Sequence, residues 1–298
     1  MLNQSVRSNF NHSKPYFLFL VFFVALAASC SDNESSIGEI PSGYAEVDVV
    51  ADAHHLKAYS VNRNSAYLVV CESGLGNGHE SWNPSQTPKE LNELATAINA
   101  DIVLYDRAGY GKSGSATNAR DVSQLSHELE AVINKFTHGR KVVLVGHSLG
   151  GMIIRDYAIK NPNQVAALLF VDSMHEHYNN PALENFIYQT MLNAYGPTFG
   201  GTLEARELAE DIAYGATLSH LPDVPVVALT SMKQDQNNDQ SDLMNQATRQ
   251  QWYEAHEQLG IGITDFTHVA TVQSGHYIQL EEPELVISNI QLLLSKLH

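Results

Sequence analysis

A serine flanked by glycines is the residue of this chain best suited to nucleophilic chemistry. Ser148 lies in the pentapeptide Gly-His-Ser-Leu-Gly at residues 146–150, which follows an apolar β-branched run and precedes an apolar segment with helical spacing. This order predicts a strand, a tight turn and a helix, in which the glycines let the backbone turn sharply and hold the serine hydroxyl above the strand end. The first amides of the helix then face the group that the hydroxyl attacks.

A serine hydroxyl is a weak nucleophile until a base removes its proton, so a histidine is needed near Ser148. Among the 14 histidines, His276 is the best candidate because it follows the last predicted strand in a Gly-His loop. That loop is expected at the same edge of the sheet as Ser148. We therefore interpret Ser148 and His276 as a nucleophile and its base.

The elements around these residues alternate between strands and helices along most of the chain. Continuous apolar runs, typical of strands covered on both faces, occur at residues 67–71, 102–105, 165–171 and 224–230. This alternation predicts an α/β fold with a mostly parallel central sheet flanked by helices. Residues 176–222, between the sixth and seventh predicted strands, are rich in aromatic residues and indicate a short helical lid over the strand ends.

Five short segments combine glycines and polar residues at predicted strand ends: residues 72–76, 106–111, 146–151, 171–176 and 274–278. Together they resemble the α/β-hydrolase superfamily, and within it serine hydrolases of the α/β-hydrolase-1 type, in that family's order over nearly all of residues 44–298. The resemblance implies Ser148 as the nucleophile and His276 as the base. It also implies the backbone amides of Leu75 and Leu149 as the oxyanion hole. We expect no cofactor and no metal.

The resemblance leaves two candidates for the acid that orients His276. Many members of the family carry it after the strand at residues 226–230, where this chain offers Asp235, and others carry it after the strand before the lid, where this chain offers Asp172. The loop at residues 231–239 lacks the usual Gly-x-x-Asp spacing, whereas Asp172 follows directly on a strand end. We therefore favour Asp172 and keep Asp235 as the alternative.

The segment before the predicted oxyanion amide departs from the family pattern. Many relatives have His-Gly there, but this chain has Ser73 and Gly74 preceded by Glu72. A carboxylate at Glu72 is expected to disfavour a developing oxyanion unless it points away. After the next strand, Asp106 and Arg107 are expected to pair with each other and shape their loop.

Residues 1–29 have the organisation of a bacterial lipoprotein signal. Two basic residues precede a short apolar run at residues 16–28, below the length of a membrane span, and small residues lead to Cys30. We expect cleavage before Cys30 and a lipid on its thiol in the cell envelope, with an ordinary secretory signal as the alternative. Residues 30–43 then form a polar tether, and the exported domain occupies residues 44–298.

The charge of the chain excludes several classes of partner. The formal net charge is −16 at pH 7, and no cluster of lysine and arginine interrupts it. Nucleic acids and anionic membrane surfaces repel such a protein, so membrane contact is expected only through a lipid on Cys30. The adjacent His54 and His55 lack a third ligand at suitable spacing, and no metal site is predicted.

The signal-like N-terminus, the motifs around Ser148 and His276 and the family resemblance together predict an exported serine hydrolase. It is expected to cleave a carboxylic ester, or a similar acyl bond of a small molecule, through an acyl-enzyme. A serine nucleophile disfavours haloalkane dehalogenase and epoxide hydrolase chemistry, for which relatives use an aspartate. An aminopeptidase-like or lactonase-like activity is the first alternative. A protein that keeps the fold and binds a ligand without catalysis is the second, and Glu72 is the feature in its favour.

Overall fold

Eight β-strands form one sheet in the computed structural model of the protein, which describes residues 44–82, 93–116, 119–234 and 246–297. The strands are β1 (Ala45–Ala51), β2 (His54–Val61), β3 (Leu68–Glu72), β4 (Asp101–Asp106), β5 (Val142–His147), β6 (Val165–Val171), β7 (Val226–Ser231) and β8 (Phe266–Thr271). The expectations for residues 1–43, including Cys30, and for Asp235 lie outside the described residues.

The order of strands across the sheet is β1-β2-β4-β3-β5-β6-β7-β8. The pairs β1–β2 and β2–β4 are antiparallel, and every following pair, from β4–β3 to β7–β8, is parallel. Parallel strands joined through helices are the arrangement that alternating elements predict. The predicted fold class, a mostly parallel sheet flanked by helices, is confirmed.

Three neighbouring strands in the middle of the sheet end side by side at one edge. The register pairs Glu72 with Gly146 across β3 and β5, and His147 with Val171 across β5 and β6. Every residue of these three strands is buried, as expected for strands covered on both faces. The loops that follow them therefore begin close together in space.

Eight α-helices occur among the described residues. They are α1 (Glu93–Ala97), α2 (Val122–Thr137), α3 (Leu149–Lys160), α4 (Pro181–Tyr195), α5 (Gly200–Gly215), α6 (Gln246–Glu257), α7 (Ile278–Glu281) and α8 (Pro283–Ser295). At the start of α2 the Asp121 carboxylate accepts a hydrogen bond from the Gln124 amide at 2.8 Å, which satisfies one of the amides left free at a helix start. Among the described residues, no helix combines the length and the apolar content needed to cross a membrane.

Helices α4 and α5 form most of the segment between β6 and β7, where the sequence predicts a lid. Helix α4 is largely accessible, and Met191 is its one buried residue. Helix α5 instead buries Leu208 and Ile212 together with the acidic residue Glu204. Burial on this scale shows that α5 is the part of the segment held against other elements.

Candidate active site

Ser148 lies at the junction of β5 and α3 in a backbone conformation that serine rarely adopts. Its φ is 52° and its ψ is −121°, and positive φ in a residue other than glycine is a strain often found at functional sites. A Cβ atom on Gly146 would lie 2.6 Å from the Gly150 carbonyl oxygen, and one on Gly150 would lie 2.3 Å from that of Glu72. The turn therefore requires both glycines, and it leaves Ser148 half-buried at the edge of the sheet.

Asp172 and His276 meet through a short hydrogen bond, with 2.7 Å between Asp172 Oδ2 and the ring Nδ1. Asp172 directly follows β6 and is fully buried, whereas the His276 side chain, after β8, is 28% exposed. Three further donors reach the carboxylate: the Ser231 amide at 2.8 Å and Trp252 Nε1 at 3.0 Å from Oδ1, and Arg249 Nη1 at 3.2 Å from Oδ2. Donors on both oxygens favour the ionised form of an acid.

The ionisation of Asp172 determines which nitrogen of His276 carries a proton. Burial alone would raise the pKa of Asp172, but the hydrogen bond and charge of His276, followed by the charge of Arg249, hold that pKa well below its usual range. A carboxylate only accepts hydrogen bonds, so His276 donates from Nδ1 and its Nε2 is free to take a proton. In the described part of the chain no hydrogen bond joins His276 Nε2 to the Ser148 hydroxyl, a contact that often tightens only when substrate is bound.

His147, immediately before the nucleophile, holds the backbone of the candidate base. Its Nε2 donates to the His276 carbonyl oxygen at 2.9 Å, and the two ring centroids are 4.7 Å apart. Burial, and then the charge of His276, lower the pKa of His147 to about 3. A neutral His147 therefore links the turn at Ser148 to the loop of His276.

The loop after β3 packs directly against the candidate nucleophile. A Cβ atom on Gly74 would lie 3.2 Å from Ser148 Cβ. Arg107 holds this loop by donating to the Gly74 carbonyl oxygen at 2.9 Å. The amides of Leu75, the next residue, and of Leu149, the first residue of α3, donate no hydrogen bond to any described residue. Neither amide therefore has a partner among the described residues, which is a requirement for the donors of an oxyanion hole.

Comparison with known proteins identifies the family to which this arrangement belongs. Residues 67–288 match the family model described as the alpha/beta hydrolase fold. The chain belongs to the α/β-hydrolase family. YqjL of Bacillus subtilis (strain 168), an uncharacterized protein, is 24% identical over 228 residues, which are 75% of this chain and 81% of YqjL.

Other relatives share shorter stretches with this α/β-hydrolase, and several are matched over less than half of their own length. A (lyso)-N-acylphosphatidylethanolamine lipase of Mus musculus is 30% identical over 107 residues, 35% of this chain and 29% of the lipase. A thermophilic esterase from Thermogutta terrifontis superposes with a TM-score of 0.61 at 16% identity, over 85% of this chain and 99% of that chain. The esterase likeness shows the fold, and the family supports a hydrolase.

The unusual Glu72 of this α/β-hydrolase is turned towards β4. Its carboxylate accepts hydrogen bonds from Arg107 Nη1 at 2.7 Å and from the Tyr105 hydroxyl. Tyr105 lies in β4 and Arg107 directly follows it. The carboxylate is therefore held by one residue of β4 and by the arginine that follows this strand.

The predicted pairing of Asp106 with Arg107 is wrong. Arg107 pairs with Glu72 at 2.7 Å and with the α5 residue Glu204 at 2.8 Å, and Asp106 binds the His79 ring at 2.8 Å. Successive side chains at a strand end point to opposite faces of the sheet. Asp106 and Arg107 therefore find partners on different sides.

One group of potential metal ligands occurs among the described residues of this α/β-hydrolase. Single ligand atoms of His79, Glu80 and Asp106 lie within 4.8 Å of one another. The Asp106 oxygens already bind the His79 ring at 2.8 Å, the His79 amide at 2.9 Å and the Tyr59 hydroxyl at 3.2 Å. We interpret the group as a hydrogen-bonded support for the loop after β3.

Several contacts around the site were not predicted from the sequence. Arg249 and Trp252 reach Asp172 from α6, and Glu204 reaches Arg107 from α5. The i, i+3 spacing of Arg249 and Trp252 places them on one helix face. No pattern in the sequence indicates that this face meets Asp172.

Proposed function

We propose that this protein is an exported serine hydrolase that cleaves a carboxylic ester, or a similar acyl bond, of a small molecule. The observation that carries the proposal is the pair of Asp172 and His276, 2.7 Å apart at the strand ends, beside the strained turn at Ser148. An acid, a base that it orients and a serine are the groups that hydrolysis through an acyl-enzyme needs. The free amides of Leu75 and Leu149 add the donors for an oxyanion.

In the first half of the proposed reaction, Ser148 Oγ attacks the carbonyl carbon of the ester while its proton passes to His276 Nε2. The carbonyl oxygen gains negative charge and accepts hydrogen bonds from the amides of Leu75 and Leu149. The intermediate then collapses, the bond to the leaving alcohol breaks, and His276 gives its proton to that alcohol. The acyl group remains bound to Ser148.

In the second half, a water molecule gives a proton to His276 and attacks the acyl carbon. Ser148 Oγ leaves and recovers the proton, so one ester and one water yield one carboxylic acid and one alcohol. Asp172 stays ionised throughout, holds the His276 ring in the required tautomer and stabilises its positive form. None of these steps uses a cofactor.

The proposal includes the location of the protein. Support comes from the apolar run at residues 16–28 and the small residues before Cys30, which favour export and a lipid anchor. Labelled palmitate should be incorporated into the full chain in bacteria and should be lost in Cys30→Ala. Equal incorporation by both proteins would contradict the anchor.

Labelling with a fluorophosphonate tests the proposed chemistry most directly. The purified full-length protein should form one adduct, located by mass spectrometry at Ser148, and Ser148→Ala should form none. Ser288→Ala, which removes an exposed hydroxyl on α8, is the matched control and should label as the wild type does. A folded wild-type protein that remains unlabelled would contradict the proposal and favour ligand binding without catalysis.

A further inference from the structure

Helix α6 presents three residues, at i, i+3 and i+7 spacing, to the loop that carries Asp172. Arg249 Nη1 lies 3.2 Å from Asp172 Oδ2, and Trp252 Nε1 lies 3.0 Å from Oδ1. Further along the same face, His256 Nε2 donates to the Ser173 carbonyl oxygen at 2.6 Å. One face of the helix therefore holds both the carboxylate and the backbone of this loop.

The two oxygens of Asp172 have separate sets of donors. Oδ1 accepts from Trp252 and from the Ser231 amide, whereas Oδ2 accepts from His276 at 2.7 Å and from Arg249. Arg249 thus shares with the candidate base the single oxygen on which that base depends. The Trp252 ring packs edge-on against the ring of Tyr178, which lies before α4, with ring centroids 4.9 Å apart.

The charged and titratable groups that face Asp172 and His276 come from β5, from α6 and from Tyr277, whose ring centroid lies 5.5 Å from that of His276. His147 lies at the end of β5, and Arg249 and His256 lie on α6. Burial lowers the pKa of His147 to about 3 and that of His256 to about 4, so both rings are neutral near pH 7. Among these groups of the described chain, Arg249, only 3% exposed, is the one permanent cation.

We propose that Arg249 and Trp252 are positioning residues of the site, which fix the Asp172 carboxylate and set the pH above which His276 acts as a base. The inference rests on the proposed function, in which His276 must be neutral to take the proton of the nucleophile. Trp252 and Ser231 hold Oδ1, so that Oδ2 faces the ring. The positive charge of Arg249 beside Oδ2 opposes the formation of imidazolium.

The pH dependence of kcat/KM separates this role from simple structural support. Arg249→Met removes the charge and keeps an unbranched side chain, so the acid limb should move about one pH unit higher. Arg249→Lys keeps the charge and should leave the limb within about 0.3 pH units of the wild type. Arg206→Met removes an arginine that is 51% exposed on α5, and the limb should not move.

Trp252→Phe tests whether Trp252 positions Asp172 Oδ1. It also keeps the inference testable if Arg249→Met does not fold. The phenyl ring keeps the aromatic packing of Trp252 but has no N–H for Asp172. We expect kcat to fall about 3- to 10-fold with KM unchanged, because orientation of the acid matters in the transition state. An unchanged kcat, or a change confined to KM, would overturn this part of the inference.

A readout that needs no turnover distinguishes this inference from the proposed function. Hydrogen exchange at the C2 atom of His276, followed by mass spectrometry across pH, reports the protonation of the ring in an active or inactive protein. Its midpoint should lie about one pH unit higher in Arg249→Met than in the wild type. Equal midpoints, within about 0.2 pH units, would overturn the inference, whereas absence of labelling at Ser148 would overturn the proposed function.

Discussion

Glu72 and Asp172 are two fully buried carboxylates at the ends of β3 and β6, and each lies beside a buried arginine. Their ionisation nevertheless differs. Burial raises the pKa of Glu72 to about 7, although Arg107 and the Tyr105 hydroxyl partly offset it. At Asp172 the donors outweigh burial, and the pKa lies well below its usual range.

The partners that oppose the effect of burial on the pKa differ between the two sites. Arg107 donates to both oxygens of Glu204 at 2.8 Å and to Glu72 at 2.7 Å. Arg120, 3.6 Å from Glu204, is itself paired with Glu128. Two arginines and His54, which lies 3.0 Å from Glu128, therefore face three buried acids, and the charge of Glu204 adds to the effect of burial on the pKa of Glu72.

Asp172 is in the opposite situation, since it is a single acid that faces both Arg249 and His276. The difference suits the proposed chemistry. Negative charge behind the base stabilises the imidazolium, whereas negative charge near the loop of Leu75 would oppose a developing oxyanion. At Asp172 the hydrogen bond and the charge of His276, followed by the charge of Arg249, therefore outweigh burial and keep the carboxylate ionised.

Asp172→Asn removes the ionised carboxylate of this pair and has the largest expected effect. The amide carries no negative charge to stabilise the His276 imidazolium, and it can hold the ring in the wrong tautomer. We expect kcat for a p-nitrophenyl ester to fall about 10⁴-fold. Steady-state kinetics on protein with a native circular dichroism spectrum measures this.

The matched control for that variant is Asp265→Asn. Asp265 is 44% exposed and pairs with Lys296, so the substitution removes the same charge far from the site and should leave kcat unchanged. If Asp172→Asn kept more than about a tenth of the wild-type kcat, Asp172 would not be the acid. The same substitution at Asp235, the alternative, would then be the next test.

Arg107→Met tests whether the buried acids Glu72 and Glu204 depend on the arginine that they share. In the variant, Glu72 and Glu204 stay buried but lose their ion pairs with the arginine. The Gly74 carbonyl oxygen also loses its hydrogen bond from the guanidinium. Loss of one partner of a buried ion pair costs about 3–5 kcal/mol. The free energy of unfolding in urea should fall by this amount.

Arg206→Met, at an exposed position paired with Glu207, is the control for Arg107→Met and should change that free energy by less than about 0.5 kcal/mol. A loss below about 1 kcal/mol in Arg107→Met would have a different meaning. It would show that Glu72 takes up a proton and that the fold does not need the arginine beside it.

The fold class and the turn around Ser148 could be predicted because their signals are local. Apolar runs and flanking glycines are recognised within a few residues, and the alternation of elements then places successive loops at one edge of the sheet. Asp172 could be favoured on the same basis, since it is the first residue after β6.

The contacts that tune the site could not be predicted, because they join distant parts of the chain. Arg249 lies 77 residues from Asp172, and Glu204 lies 97 residues from Arg107. Which acid an arginine meets depends on strand order and on the packing of α5 and α6, and neither follows from spacing. The partners of Glu72, Tyr105 and Arg107, could not be predicted for the same reason.

Glu72→Gln tests the raised pKa of Glu72 and has the smallest expected effect. It should change how steeply the free energy of unfolding varies with pH. The pKa of Glu72 rises on folding from its ordinary value of 4.5 to about 7, chiefly through burial. Between these values the native state holds a proton that the unfolded state has lost, so the free energy of unfolding falls as pH rises. This decline of up to about 3 kcal/mol should be absent from the variant, which cannot ionise.

The measurement is urea unfolding of the wild type and Glu72→Gln from about pH 5 to about pH 8. Subtracting the two series removes contributions common to both proteins, including Asp211, whose pKa burial raises to about 8. The difference should move in favour of the variant as pH rises, whereas Glu281→Gln, at a position 42% exposed and paired with Lys233, should give a flat difference. A flat difference for Glu72→Gln would mean that Arg107 keeps Glu72 ionised throughout. The two buried carboxylates would then differ in position but not in charge, and the proposed oxyanion loop would lie close to a fixed negative group.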